Sequence, residues 1–133
     1  MTRPVLTDDG FCFACGMDNP SGLRLEFRGG NGKVVSEFIP QKAHQGFKDI
    51  VHGGIITTVL DEAMVKAAMS LGIEALTAEI SVRFKMPLPV GEKAFIEAEI
   101  KKIGNRLVET YARISKADAS VVAEAGAKLL RNV

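Results

Sequence analysis

The feature that most constrains this chain is a single helical stretch, Gly53 to about Leu71, that is apolar on nearly every side. It is rich in Ala, Met, Leu and other helix-compatible residues. Projected at about 100° per residue, Ile56, Val59, Leu60, Ala63, Met64 and Ala67 fill one side, and Val65, Ala68 and Met69 occupy much of the other. A helix with so little polar surface has to be enclosed. No second convincing helical pattern accompanies it, so its cover has to come from β structure.

The flanking segments supply that cover. Leu23, Leu25 and Phe27 alternate with Arg24, Glu26 and Arg28, and Gly29-Gly30-Asn31-Gly32 intervenes before Val34 to Ile39, the pattern of a hairpin. From Leu76 to Met86 the alternation is unbroken, with Leu76, Ala78, Ile80, Val82, Phe84 and Met86 on one face and Thr77, Glu79, Ser81, Arg83 and Lys85 on the other. Ala94 to Ile100 alternates more weakly, Gly104-Asn105 turns the chain into Arg106 to Ile114, and a turn near Asp118 leads to Val121 to Leu130. Four long strands with hairpin-length connections predict an antiparallel meander. The expected architecture is α+β, a curved antiparallel sheet of five to six strands wrapped around one long buried helix. Residues 1–21 have neither period and read as an N-terminal arm, with residues 22–133 as one domain.

Charge and composition exclude several function classes. Lys plus Arg total 17 against 16 Asp plus Glu, so no global field exists to hold a polyanion, and nucleic acid is not an expected partner. The longest stretch free of Asp, Glu, Lys and Arg, Ile50 to Leu60, falls well short of the roughly 18 apolar residues of a membrane span. MTRPVLTDDG lacks an apolar core of signal-peptide length, and two close cysteines cannot build a disulfide framework. Both observations point to a cytoplasmic protein. Cys12 and Cys15 have metal-ligand spacing, but one C-x-x-C supplies only two of four zinc ligands, and His44 could join them only through distant folding or a dimer. No metal and no cofactor are expected.

The chemistry gathers at the helix start. Two glycines there, Gly53 and Gly54, let a ligand approach the backbone closely, and the first-turn N–H groups lack intrahelical partners. No Ser, Thr, Asp or Asn stands immediately before them as a cap, so these donors could hold an oxyanion; the plainer alternative is a tight loop-to-helix corner. Asp61, nine residues after His52, projects to the border of the apolar side near Thr57, Met64 and Ala68. An acid so enclosed costs stability unless it is paired or used, which leaves a general base or an aspartate bonded to a nearby hydroxyl or backbone group. Glu62 points elsewhere, with Lys66 four residues on, and reads as half of a solvated ion pair.

HGGIITTVLDEAM resembles the signature of the hot-dog-fold acyl-CoA thioesterases of the phenylacetyl-CoA and human thioesterase-superfamily type, where His-Gly-Gly precedes a catalytic acid at this spacing. TAEISVRFKMPLPVGE is similar to the family's next segment, CFACGMDNPSGL to the N-terminal arm of one subgroup, and the strand order fits across about residues 22 to 130. The resemblance implies hydrolysis of an acyl-CoA thioester to a free acid and CoA. It implies Asp61 as general base or nucleophile, the Gly54 N–H as the group that polarises the carbonyl, and a mostly supporting role for His52 beside Gly53. Many relatives have Asn seven residues before the histidine, where this chain has Gln45. Thr77 falls on the strand position near the pantetheine. Phe84-Lys85-Met86-Pro87 and Lys101-Lys102-Ile103-Gly104-Asn105-Arg106 match segments that contact CoA in the family, with cations suited to its phosphates. For the lysine pair alone, a solvated hairpin edge is the plainer reading. Phe47, Met64 and Met69 could line an acyl pocket.

One step follows from arithmetic. Asp61 lies seven residues beyond Gly54, ~10 Å along the helix at ~1.5 Å per residue, whereas a reacting carbonyl needs the acid within ~3 to 4 Å. If both act on one thioester, they come from two subunits whose helices run antiparallel about a two-fold axis, the arrangement the resembled family uses. The expected assembly is a homodimer, or a homotetramer built as a dimer of dimers. Two other classes stay open, a 3-hydroxyacyl-thioester dehydratase or hydratase and a non-catalytic acyl-CoA-binding protein. The placement of the histidine within His-Gly-Gly favours hydrolysis over the first, and Asp61 favours catalysis over the second.

Overall fold

The computed structural model describes residues 5–132; residues 1–4 of the expected arm and residue 133 of the expected domain lie outside it. The elements run β1 (Arg28–Gly30), β2 (Lys33–Phe38), α1 (Gly53–Met69), β3 (Ala75–Phe84), β4 (Ala94–Ile103), β5 (Leu107–Lys116) and β6 (Val121–Arg131). Every strand pairing is antiparallel, in one sheet of order β1-β2-β4-β5-β6-β3. The sheet curves round α1, which touches β2 through β6. This is the hot-dog architecture expected from one enclosed helix.

The core lies between the helix and the sheet's inner face. Val59, Leu60, Ala63, Met64, Ala67 and Ala68 have no exposed surface, and Val108, Ala112, Ile114, Val122, Ala123 and Leu129 close on them from β5 and β6. Each large side chain enclosed in this way contributes roughly 1.5–3 kcal/mol. The alanines let the helix settle close to the sheet. The helix is less fully covered than its apolar circumference suggests, because Val65 is only half-buried and Met69 is 50% exposed.

Three strand expectations need correction. Between β1 and β2, Asn31 and Gly32 both have positive φ (55° and 83°), the conformation of a two-residue hairpin turn. The strand before that turn begins at Arg28 and not at Leu23. The Leu23 and Leu25 N–H groups donate to Phe13 O and Ala14 O at 2.8 and 2.9 Å, so the backbone of this stretch pairs with the arm, and β2 reaches it through the Ser36 hydroxyl, which donates to Glu26 O at 2.6 Å.

The meander holds only for β4 to β6. β3 sits at the far edge, paired with β6, while β4 lies between β2 and β5. The connection that permits this is residues 85–93, in which Leu88 is fully buried and its carbonyl accepts the Val51 N–H at 2.9 Å. Pro87 and Pro89 have no N–H to give to a ladder. The segment therefore crosses past the helix start and does not fold back as a hairpin.

On β3 itself the alternation does not survive intact. The register shifts between Thr77 and Glu79, and the extra residue reverses which side chains face the helix. Ala75 and Thr77 face inward before the shift, and Ile80 and Val82 after it, whereas Leu76 and Phe84 are 49% and 53% exposed.

Candidate active site

The loop before α1 is tied down at several points. His52 N–H donates to His44 O at 2.9 Å, Gly46 N–H to Ile50 O at 2.8 Å, and Gln45 Oε1 accepts the Asp49 N–H at 3.0 Å. Gln45 thus closes its own loop. His44 Nδ1 accepts the Gln41 N–H at 2.9 Å, and burial holds the His44 imidazole below the usual histidine range.

The helix start does have a cap. His52 Nδ1 accepts the Gly54 N–H at 2.8 Å, which leaves the neutral ring's proton on Nε2. A Cβ at Gly54 would lie 3.0 Å from that nitrogen, so the second glycine makes room for the ring. The donor expected to face an oxyanion is therefore held by the imidazole of the same motif. The absence of a Ser, Thr, Asp or Asn before the helix did not leave it uncapped, because a histidine acceptor does the same work. Beside it an open groove is lined by Gly46, Phe47, Ile50, Val51, His52 and Gly53. Of the three side chains expected in an acyl pocket only Phe47 is here. Met64 is wholly buried in the core and Met69 lies at the far end of the helix.

Asp61 is half-buried, and the Thr77 hydroxyl donates to its Oδ1 at 2.6 Å. Its Oδ2 accepts no hydrogen bond among the described residues. The β3 shift is what turns Thr77 toward the helix. Asp61 and Gly54 share one flank of α1, about 20° apart around it and ~10 Å apart along it. Phe84, at the other end of β3, borders the helix start, since a Cβ on Gly53 would lie 3.6 Å from its ring. β3 thus runs from the acid to the glycines, and among the described residues only its β6 side is paired.

Glu62 occupies the opposite flank. Its partner is Lys66, as expected, at 3.9 Å, but the two side chains are only 16% and 23% exposed. The pair is not solvated because the N-terminal arm lies over it. Cys12 Sγ is 3.9 Å from Glu62 Oε2, both cysteines are free thiols, and burial, with the Glu62 carboxylate, pushes the Cys15 thiol up to about 12.

The segments expected to meet CoA fall into two places. Lys102, Gly104 and Arg106 line an open groove with Leu107, Glu109 and Lys128. Gly104 N–H donates to Leu107 O at 2.8 Å, which tightens the turn that carries Asn105. Lys128 was not foreseen from the sequence. It reaches the groove only through register, β6 setting it opposite Glu109 and β4 setting Lys102 opposite the same residue. Phe84, Lys85 and Pro87 lie at the other end of β3, where Lys85 Nζ is 3.3 Å from Glu124 Oε1. The Tyr111 hydroxyl and Lys85 together hold Glu124 below the usual carboxylate range. Thr77 and Phe84 are separated by roughly 23 Å at ~3.3 Å per residue. One chain therefore does not bring the two clusters together.

The sequence model of the thioesterase superfamily matches residues 48–123. Over 90 residues the chain is 31% identical to acyl-coenzyme A thioesterase THEM4 of Xenopus laevis, covering 68% of this chain and 40% of that protein. It therefore spans well under half of that relative. Over 96 residues it is 25% identical to acyl-coenzyme A thioesterase 13 of Homo sapiens, covering 70% of this chain and 69% of that one. A hypothetical thioesterase of Streptococcus pneumoniae solved with coenzyme A superposes with a TM-score of 0.77 at 18% identity, over 80% of this chain and 87% of that one, a likeness of fold. Two further structures of that thioesterase carry alanine in place of an aspartate and of a threonine 16 positions apart. No helix among the described residues is long and apolar enough to cross a membrane.

Proposed function

The chain belongs to the thioesterase superfamily, and from that premise we propose that it is an acyl-CoA thioesterase that releases a free acid and CoA. The observation that carries this reading is Asp61, fixed through one oxygen by Thr77 with no hydrogen bond to the other among the described residues, on the helix flank shared with Gly54. A carboxylate so held is positioned to take a proton from water or to attack the carbonyl carbon itself. In the first case the water oxygen bonds to the carbon, the C–S bond breaks, and the proton passes from Asp61 to the departing thiolate. The Gly54 N–H, released as the His52 ring swings away, steadies the developing oxyanion at the helix start. The 16-residue spacing of Asp61 and Thr77 is also that of the two positions replaced by alanine in the pneumococcal protein.

The site is built from two chains. β3 is a ten-residue edge strand with exposed Leu76 and Phe84, and such an edge favours pairing with a second copy. A two-fold axis between Ile80 and Ser81 would set Thr77 opposite Phe84 of the partner subunit. Asp61 of one chain then meets the glycines of the other, and the Lys102, Arg106 and Lys128 groove joins the opposite Phe84-Lys85-Pro87 segment. Coenzyme A phosphates would be held in that groove.

The deciding experiment presents a panel of acyl-CoAs and follows free thiol. Hydrolysis gives thiol and acid; a dehydratase gives an unsaturated thioester without thiol; a binder retains ligand and releases nothing. Absence of thiol release from every member of the panel overturns the proposal.

A further inference from the structure

We propose that Cys12, Cys15 and Glu62 form a site for one zinc-like divalent cation that ties the N-terminal arm to α1. One ligand atom from each, two Sγ and a carboxylate oxygen, lie within 4.8 Å of one another. In a tetrahedral zinc site, with bonds of ~2.3 Å to sulfur and ~2.0–2.2 Å to oxygen, ligand atoms sit ~3.5–3.8 Å apart. The Cys12 Sγ to Glu62 Oε2 separation of 3.9 Å is already close to that value. The other two separations are within 4.8 Å, so a contraction on the order of 1 Å at most brings the three atoms to bonding geometry.

The ligands are held by rigid pieces. Glu62 stands on the central helix. The C-x-x-C loop is closed by the Gly16 N–H, which donates to Cys12 O at 2.8 Å, and a Cβ at Gly16 would lie 2.4 Å from Cys12 N. Only glycine fits there. The Glu62 oxygens divide their work, Oε2 facing Cys12 and Oε1 facing Lys66 at 3.9 Å. A ligating carboxylate is commonly braced through its second oxygen in this way.

The chemistry of the set also points to a cation. A divalent ion held by the two sulfurs would draw off their protons, because a coordinating thiol is deprotonated. Two thiol protons leave for solvent as two sulfur–metal bonds form. Sulfur donors select zinc-like ions over magnesium and calcium. Three protein ligands leave the fourth tetrahedral position to water. Sequence spacing offered two ligands, and the fold adds a third from 50 residues away.

The test uses the whole chain, reduced and stripped of metal, titrated with Co2+ and then Zn2+. The expected result is thiolate-to-cobalt charge-transfer absorption that saturates at one ion per chain, displacement by Zn2+, and a higher Tm with zinc. Replacing both Cys12 and Cys15 by Ser should abolish the absorption. Glu62→Gln should keep it while weakening binding at least about tenfold. If the serine variant fails to fold, the wild-type and Glu62→Gln titrations still decide. The proposal is overturned if the wild type gives no thiolate absorption, or if Glu62→Gln binds as tightly as the wild type.

Discussion

At the scale of single residues, the aspartate and its threonine are separable. Asp61→Asn is nearly isosteric, keeps the fold, and should lower thiol release by at least ~10²-fold, the usual scale for a lost general base. A variant within a few-fold of wild type would remove Asp61 from the mechanism. Thr77→Ala should cost less, roughly tenfold in kcat with KM nearly unchanged, because it frees the carboxylate without removing it. Thr77→Ser should restore the rate; if it does not, the hydroxyl that donates to Oδ1 is not what positions the acid. His44 supplies a pH dependence. Its folded-state affinity for protons is lowered by burial, so the unfolded chain takes up this proton first as the pH falls below about 6.5. Stability is therefore lost from that point downward until the folded-state imidazole is protonated too. Urea melts at about pH 7 and about pH 5 should show a larger loss for the wild type than for His44→Gln. Equal losses would show that other groups set the acid limit.

At the scale of elements, β3 was both the most legible and the most misleading. Its perfect alternation identified a strand, because period 2 is a property of the chain alone. It could not show the shift after Thr77, since a bulge exists only relative to a partner strand, here β6. The same is true of the groove at the β4–β5 turn. Lys102 and Arg106 are close in sequence, but Lys128 joins them through cross-strand register. Replacing Lys102 and Arg106 by Ala should raise KM for an acyl-CoA more than for a short pantetheine thioester, with kcat little changed, because only the former carries the nucleotide phosphates. Adding Lys128→Ala should widen that gap. Equal effects on the two substrates would place the nucleotide elsewhere.

At the scale of the molecule, the proposed two-chain site makes a quantitative demand. Asp61→Asn provides one inactive parent and Gly54→Pro the other, since proline removes the proposed oxyanion donor and intrudes where the His52 ring sits 3.0 Å from a Gly54 Cβ. With both parents shown to fold and dimerise, co-refolding at equal amounts makes half the dimers mixed. Each mixed dimer has one intact site, so about a quarter of wild-type activity should return. If nothing returns, the acid and the oxyanion donor do not come from different chains.

The sequence by itself determined that one apolar helix would lie inside an antiparallel sheet, because side-chain periodicity and the need to bury that helix are written residue by residue. It also determined the spacing of His52, Gly54 and Asp61, and with it the ~10 Å that separates donor from acid on one helix. Only the tertiary structure decided what each of these groups touches. The His52 ring caps Gly54, Thr77 turns onto Asp61, and the arm brings two sulfurs to Glu62. Those contacts depend on a rotamer, a strand register and a crossing of distant segments, and no local pattern encodes any of the three.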